Sequence, residues 1–224
     1  MKSKQGWIVY FIFALFYLIC EIFESDILIH IARMLLMPVV FVEYMRTHKK
    51  RHPFPIIIIS ACFLGDLAVA LAYRSLAPVS LACFAISHLV FIYICFRAIR
   101  DLNVKKLLFS ALPVIILWFI YYNYSIKDIF GKDLGDNYIY VLLYSIVLSA
   151  FMIISLMGYF NDENKMSLFA VIIALSFVVG DIMMGLYAYI TPLRFFELTY
   201  ATAGVVGYFF IMRFNNEFNF KQIY

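Results

Sequence analysis

The chain has 224 residues, of which 65% are hydrophobic and 14% charged, and its mean hydropathy is +0.92; a soluble domain carries about 25% charged residues. That balance excludes a water-soluble fold, and eight spans of about 20 residues would use nearly the whole length, leaving no room for a separate soluble domain. The net charge of +4 is the ordinary basic collar of a membrane protein and requires no nucleic-acid partner.

Hydropathy predicts an all-α polytopic bundle, a single transmembrane domain over 1–224. Its spans are expected near 7–23, 27–45, 54–73, 77–97, 104–122, 138–159, 166–190 and 194–213. The basic, apolar N-terminus resembles a signal peptide but lacks a small-x-small cleavage site before Glu21-Ile-Phe-Glu-Ser-Asp26, so it is read as an uncleaved first span. Span two carries Arg33, with His30 near its outer edge and Glu43 at its inner end. Cys20, Cys62, Cys83 and Cys95 all lie in apolar runs and read as packing residues. The longest joint, Asn123–Asn137, holds Lys127, Asp128, Lys132, Asp133 and Asp136, and the tyrosines before it (Tyr121, Tyr122, Tyr124) read as an interfacial belt. With a cytoplasmic N-terminus, 13 of the 18 Lys and Arg residues fall inside and four outside, with Arg33 within a span. Both termini are therefore expected in the cytoplasm.

Two stretches repeat: Cys62-Phe-Leu-Gly-Asp-Leu67 in span three and Phe177-Val-Val-Gly-Asp-Ile182 in span seven. They occupy the same place in two four-span halves, which suggests a duplication about an axis along the membrane normal. Asp66, Asp181, Arg33 and His88 all lie well inside spans, and Glu197 nearer an edge. A carboxylate there costs about 2.5–3.5 kcal/mol even on the lenient insertion scale. At about 1.5 Å per residue the five fall roughly 5–16 Å below the outer helix ends. Five helices contributing polar groups at similar depth points to one polar cavity. Stripes of small residues (Ala61, Gly65, Ala68; Ala174, Gly185, Ala188) turn both aspartates toward the bundle. An Arg33–aspartate ion pair locking helices together is the plainer alternative, and it leaves the second aspartate unexplained. There is no phosphate-cradling Gly-rich loop or Gly-x-Ser-x-Gly elbow. With His88 as the single deeply placed histidine, no metal site and no other cofactor are expected.

Taken in order, these residues resemble the YhhN family of lysoplasmalogenase-like eight-span membrane proteins. Arg33-Met-Leu-Leu-Met-Pro38 is similar to the family's Lys-Pro-Leu-x-x-Pro, Leu64-Gly65-Asp66 to its Gly-Asp, Phe84-Ala-Ile-Ser87-His88 to its Phe-x-x-Ala-His, and Phe177-Val-Val-Gly180-Asp181 to its Phe-x-x-Ser-Asp. Ser87, Phe91 and Gly180 depart from the usual Ala, Tyr and Ser, and Tyr200-Ala-Thr-Ala203-Gly204 stands where the family tends to have Ala-Gln. The resemblance implies hydrolysis of the vinyl ether bond of a lysoplasmalogen-type lipid. Asp66, Asp181 and His88 would be catalytic, and Arg33, Glu197 and Tyr200 would bind substrate. The partner would be a membrane lipid, with a homodimer left open. A small proton-coupled transporter or lipid-binding protein, using the buried carboxylates as a relay, is the alternative.

Overall fold

The computed structural model of the chain describes residues 2–24, 26–71, 76–99, 112–131 and 134–220. They form eight α-helices: α1 (Lys2–Ile22), α2 (Asp26–Thr47), α3 (Pro53–Ala70), α4 (Ala77–Ala98), α5 (Leu112–Phe130), α6 (Tyr138–Asn161), α7 (Lys165–Tyr189) and α8 (Arg194–Glu217). Helix is what hydrocarbon demands of these sequences, because lipid offers no partner to a backbone N–H or C=O. Helix starts are marked where polar residues allow. His52 caps α3 with Pro53 in the first turn, and Asn164 accepts from the Met166 and Ser167 N–H groups at 2.9 Å each to cap α7.

The helices make a polytopic membrane protein. Among the described residues six of them (α2, α3, α4, α6, α7, α8) are long and apolar enough to cross a bilayer, and α1 contributes the apolar stretch Gly6–Ile22. Seven of the eight lie close to their expected spans. The fifth does not. Residues 123–130, expected in a polar joint, continue α5 as helix to Phe130. The joint therefore shrinks to a few residues around Gly135–Asn137, while residues 104–111 of the expected span lie outside those described.

Packing follows a ring. Helices α2, α3, α4, α6, α7 and α8 are neighbours in that order, and α8 closes the ring against α2; α1 lies on α2 and α8, and α5 packs chiefly on α6. Stepping four helices along the chain maps α1–α2 onto α5–α6, α2–α3 onto α6–α7, α3–α4 onto α7–α8, and α4–α6 onto α8–α2. Such a pattern is what a duplication of four helices would leave. The interior is filled by Leu36, Met37, Ile58, Phe91, Leu148, Phe151, Ile173 and Phe214, all nearly inaccessible, whereas Ile12, Phe96, Leu117 and Phe195 face outward, as expected for a bundle solvated by lipid.

Candidate active site

Asp66 lies on the inner face of α3 and is fully buried. A buried charge is stable only if it is paired and its oxygens are bonded, and here two helices do both. Arg33 on α2 donates from Nε to Oδ1 at 2.8 Å, and Tyr208 on α8 donates its hydroxyl to Oδ2 at 2.6 Å. The Arg33 guanidinium also lies 4.6 Å from the ring centroid of Tyr200, a cation–π contact. These contacts sit where α8 closes the ring on α2, so the ion pair anchors the helices as well as holding charge. The preceding Gly65 has a packing reason: a Cβ there would lie 2.9 Å from the Phe84 ring.

Asp181 occupies the matching place on α7 with different company. Its Oδ2 accepts from the Tyr144 hydroxyl of α6 at 2.7 Å, no cation pairs with it among the described residues, and it is partly accessible. The accessible part faces two cavities. The smaller, of about 40 Å³, is walled by Arg33, Phe177, Gly180, Tyr200 and Tyr208 together with Asp181, and is larger than the roughly 10–15 Å³ that a cavity needs to admit one water. The larger, of about 360 Å³, runs between α3, α4, α5, α6 and α7 and is mostly apolar. Phe84, Asp181 and Tyr200 belong to both walls. Asp181 is thus the carboxyl group shared by a small space that Arg33, Tyr200 and Tyr208 also wall and a larger, mostly apolar one.

The structure therefore gathers Arg33, Asp66, Asp181 and Tyr200 around one site. His88 is set back from it. Its ring is stacked on Phe151 with centroids 5.5 Å apart, meets the edge of Phe177 at 4.6 Å and lies 5.7 Å from the Tyr144 ring. Both ring nitrogens are buried and find no hydrogen-bond partner among the described residues, and the residue lines neither cavity. His88 touches the site through the Tyr144 ring, behind the hydroxyl that holds Asp181. Glu197 is elsewhere. It bonds Arg194 Nη1 at 2.5 Å and shares with Glu24 and Tyr187 a separate cavity of about 320 Å³ at the start of α8. Among the described residues no group of three or more His, Cys, Asp or Glu is placed to hold a metal ion.

Three contributors escaped the sequence reading: Tyr144, Tyr208 and Phe84. A tyrosine in mid-span needs a partner for its hydroxyl once it is buried, and two mid-span tyrosines beside two mid-span aspartates was the available signal.

The arrangement assembles, from α2, α3, α4 and α7, the four sequence segments that carried the family resemblance. A profile of the YhhN family matches residues 25–214. The chain belongs to the YhhN family. No curated protein and no solved structure matches it. Within the YhhN match lie every residue of the site just described and both Gly-Asp pairs, while α1 precedes it. At the second pair, where the YhhN pattern usually has Ser, Gly180 leaves ordinary room. A Cβ there would stand 3.6 Å from Tyr200 and 3.7 Å from Ala203.

Proposed function

We propose that this membrane protein is a hydrolase that cleaves the vinyl ether bond of lysoplasmalogen-type lipids, releasing a fatty aldehyde and the glycerophospho-headgroup. The observation that carries the proposal is the position of Asp181, a carboxyl group hydrogen-bonded by Tyr144 where a small space that Arg33 also walls meets a larger apolar cavity. Vinyl ether hydrolysis begins when an acid protonates the β-carbon. Asp181 supplies that proton, and the double-bond electrons form the new C–H bond, leaving an oxocarbenium ion across the α-carbon and ether oxygen. Water in the small space adds to the α-carbon and returns a proton to a carboxylate, giving a hemiacetal. The hemiacetal hydroxyl gives up its proton as its oxygen forms the carbonyl, the bond to the glycerol oxygen breaks, that oxygen takes up a proton in exchange, and the aldehyde departs. Asp66, ion-paired with Arg33 behind the wall of the small space, is the second carboxyl group and acts through Arg33. The logic parallels that of glycosidases, where two carboxyl groups serve an oxocarbenium-like transition state. Arg33, at the wall of the small space, is also placed to meet a phosphate oxygen.

Aldehyde release from a purified lysoplasmalogen by the detergent-solubilised protein is the test. Release that is lost in Asp181→Asn supports the reading. No release, with proton-coupled uptake by the same protein in sealed vesicles, would replace it with transport. We infer from the Lys and Arg bias that both termini are cytoplasmic and that the site is in the outer half of the bilayer. A cysteine introduced at Asp133 should then react with an impermeant reagent in intact cells, and one at Lys50 should not; the reverse pattern inverts the topology.

A further inference from the structure

We infer that the 360 Å³ cavity between α3, α4, α5, α6 and α7 is a binding site for a small lipophilic amine, with its ammonium group against Asp181 and its apolar body toward the ends of α5 and α7. The inference rests on the cavity and its charge, and it goes beyond the hydrolase reading.

The charge argument starts from what Asp181 lacks. Its counterpart Asp66 already has a guanidinium on Oδ1 and a phenol on Oδ2. Asp181 accepts the Tyr144 hydroxyl on Oδ2, and Arg33, which walls the small cavity with it, is committed to Asp66. Among the described residues that line the larger cavity, Asp181 alone is an acid or a base of the Asp, Glu, Lys, Arg or His kind. A carboxylate in such surroundings is stable beside a cation and costly without one. A basic ligand completes this wall from either protonation state. An ammonium pairs with the carboxylate directly, and a neutral amine takes the carboxyl proton onto its nitrogen to give the same pair.

The rest of the wall suits the same class of ligand. Six rings line it, those of Phe84, Tyr122, Phe130, Tyr144, Tyr189 and Tyr200, and aromatic faces attract ammonium groups. Phe84 and Tyr200 also border the small cavity beside Asp181, and Tyr200 already holds one cation near its ring, the Arg33 guanidinium at 4.6 Å.

Position and size narrow the ligand further. Asp181 precedes Tyr189 by eight residues on α7, about 12 Å along the helix. Phe130 and Tyr189 end their helices and Asn137 directly precedes α6, so the cavity runs from the carboxyl group to the helix ends, and an amine enters nitrogen first. Pockets for small organic ligands run from about 300 to 1,000 Å³, which puts this one at the small end. An ammonium on a phospholipid headgroup brings a phosphate with it, and no Lys or Arg among the described lining residues is there to meet one. A free amine needs no such partner.

The experiment uses the full chain in detergent, with 4-phenylbutylamine as the probe and binding followed by calorimetry. The neutral analogue 4-phenylbutanol should bind about 10–100-fold more weakly, the worth of a hydrogen bond to a charged group. Asp181→Asn should abolish that preference, and Ala188→Phe, which narrows the cavity away from Asp181, should weaken both ligands. Equal affinity of the wild type for amine and alcohol, which needs no variant to fold, would overturn the assignment. A preference for the amine that survives in Asp181→Asn, or binding untouched by Ala188→Phe, would place the probe elsewhere and overturn it as well. Phosphoethanolamine binding more tightly than the probe would make this a headgroup site instead. Aldehyde release separates the two readings. Amine binding through Asp181 in a protein that releases no aldehyde leaves the amine site standing and ends the hydrolase reading; aldehyde release without such binding ends the amine site alone.

Discussion

Asp66 and Asp181 sit at equivalent places in two halves that share a neighbour order, each following a glycine on the third helix of its half. In the first half the second helix supplies a guanidinium, and the last helix of the other half adds a phenol, so both carboxylate oxygens of Asp66 are engaged. In the second half the second helix supplies only the phenol of Tyr144, and the carboxyl group is left facing space. The 115-residue offset that relates the aspartates places Arg33 opposite Leu148, one turn from Tyr144. A repeated fold thus delivers two carboxyl groups to matching places, and the choice of cation or hydroxyl one helix away leaves one bonded at both oxygens and the other facing a cavity. The proposed chemistry through an oxocarbenium ion needs such a division.

The comparison breaks most readily at Asp181. Asp181→Asn keeps the shape and an acceptor for Tyr144 but has no proton to give. Turnover should fall about 10²–10⁴-fold with the melting temperature unchanged; activity within tenfold of wild type would remove Asp181 from the acid's role. Asp66 should behave in the opposite sense, with stability as its first casualty. Arg33→Met leaves a buried carboxylate unpaired and is expected to cost about 3–5 kcal/mol, whereas changing both partners, Arg33→Met with Asp66→Leu, should recover most of that. Thermal unfolding in detergent measures both. Recovery of stability without recovery of aldehyde release would show that the pair also serves the reaction, and full activity in the double variant would reduce it to a clasp. The smallest and sharpest contrast is between the two phenols. Tyr208→Phe and Tyr144→Phe each delete one hydrogen bond, worth about 0.5–1.5 kcal/mol. Tyr208→Phe should appear mainly in the melting temperature, and Tyr144→Phe mainly in kcat and its pH profile. Equal effects on both readouts would mean that the halves are not functionally divided.

Hydropathy made the helices legible because lipid imposes length and apolarity on each segment that crosses it. At the fifth it set the end too early, since Tyr121, Tyr122, Tyr124, Lys127 and Asp128 look interfacial in one dimension while the helix continues to Phe130. In the structure Tyr122 and Ile126 turn inward along the wall of the large cavity while Lys127 and Asp128 are exposed. Arg33, Asp66 and Asp181 could be read in advance, since a charge in a span announces itself by its cost. Tyr144 and Tyr208 were marked only by their place within spans: the chain has 17 tyrosines, and a tyrosine's neighbours in sequence do not show whether it donates to a buried carboxylate. The depth of Glu197 and His88 was legible, but their azimuth was not. Glu197 finds Arg194 within its own first turn, and His88 points among Phe151, Phe177 and Tyr144.

The two glycines that made the repeat visible are not under the same constraint. At position 65 a Cβ would press on Phe84, whose ring belongs to the walls of both cavities, so even alanine would move the surface that divides them. At position 180 a Cβ would make only ordinary contact with Tyr200 and Ala203, so a serine would fit and add a hydroxyl to the small cavity. One glycine of the repeated pair is therefore held by the space around it, and the other is a position where the polarity of the small cavity can be changed without displacing a neighbour.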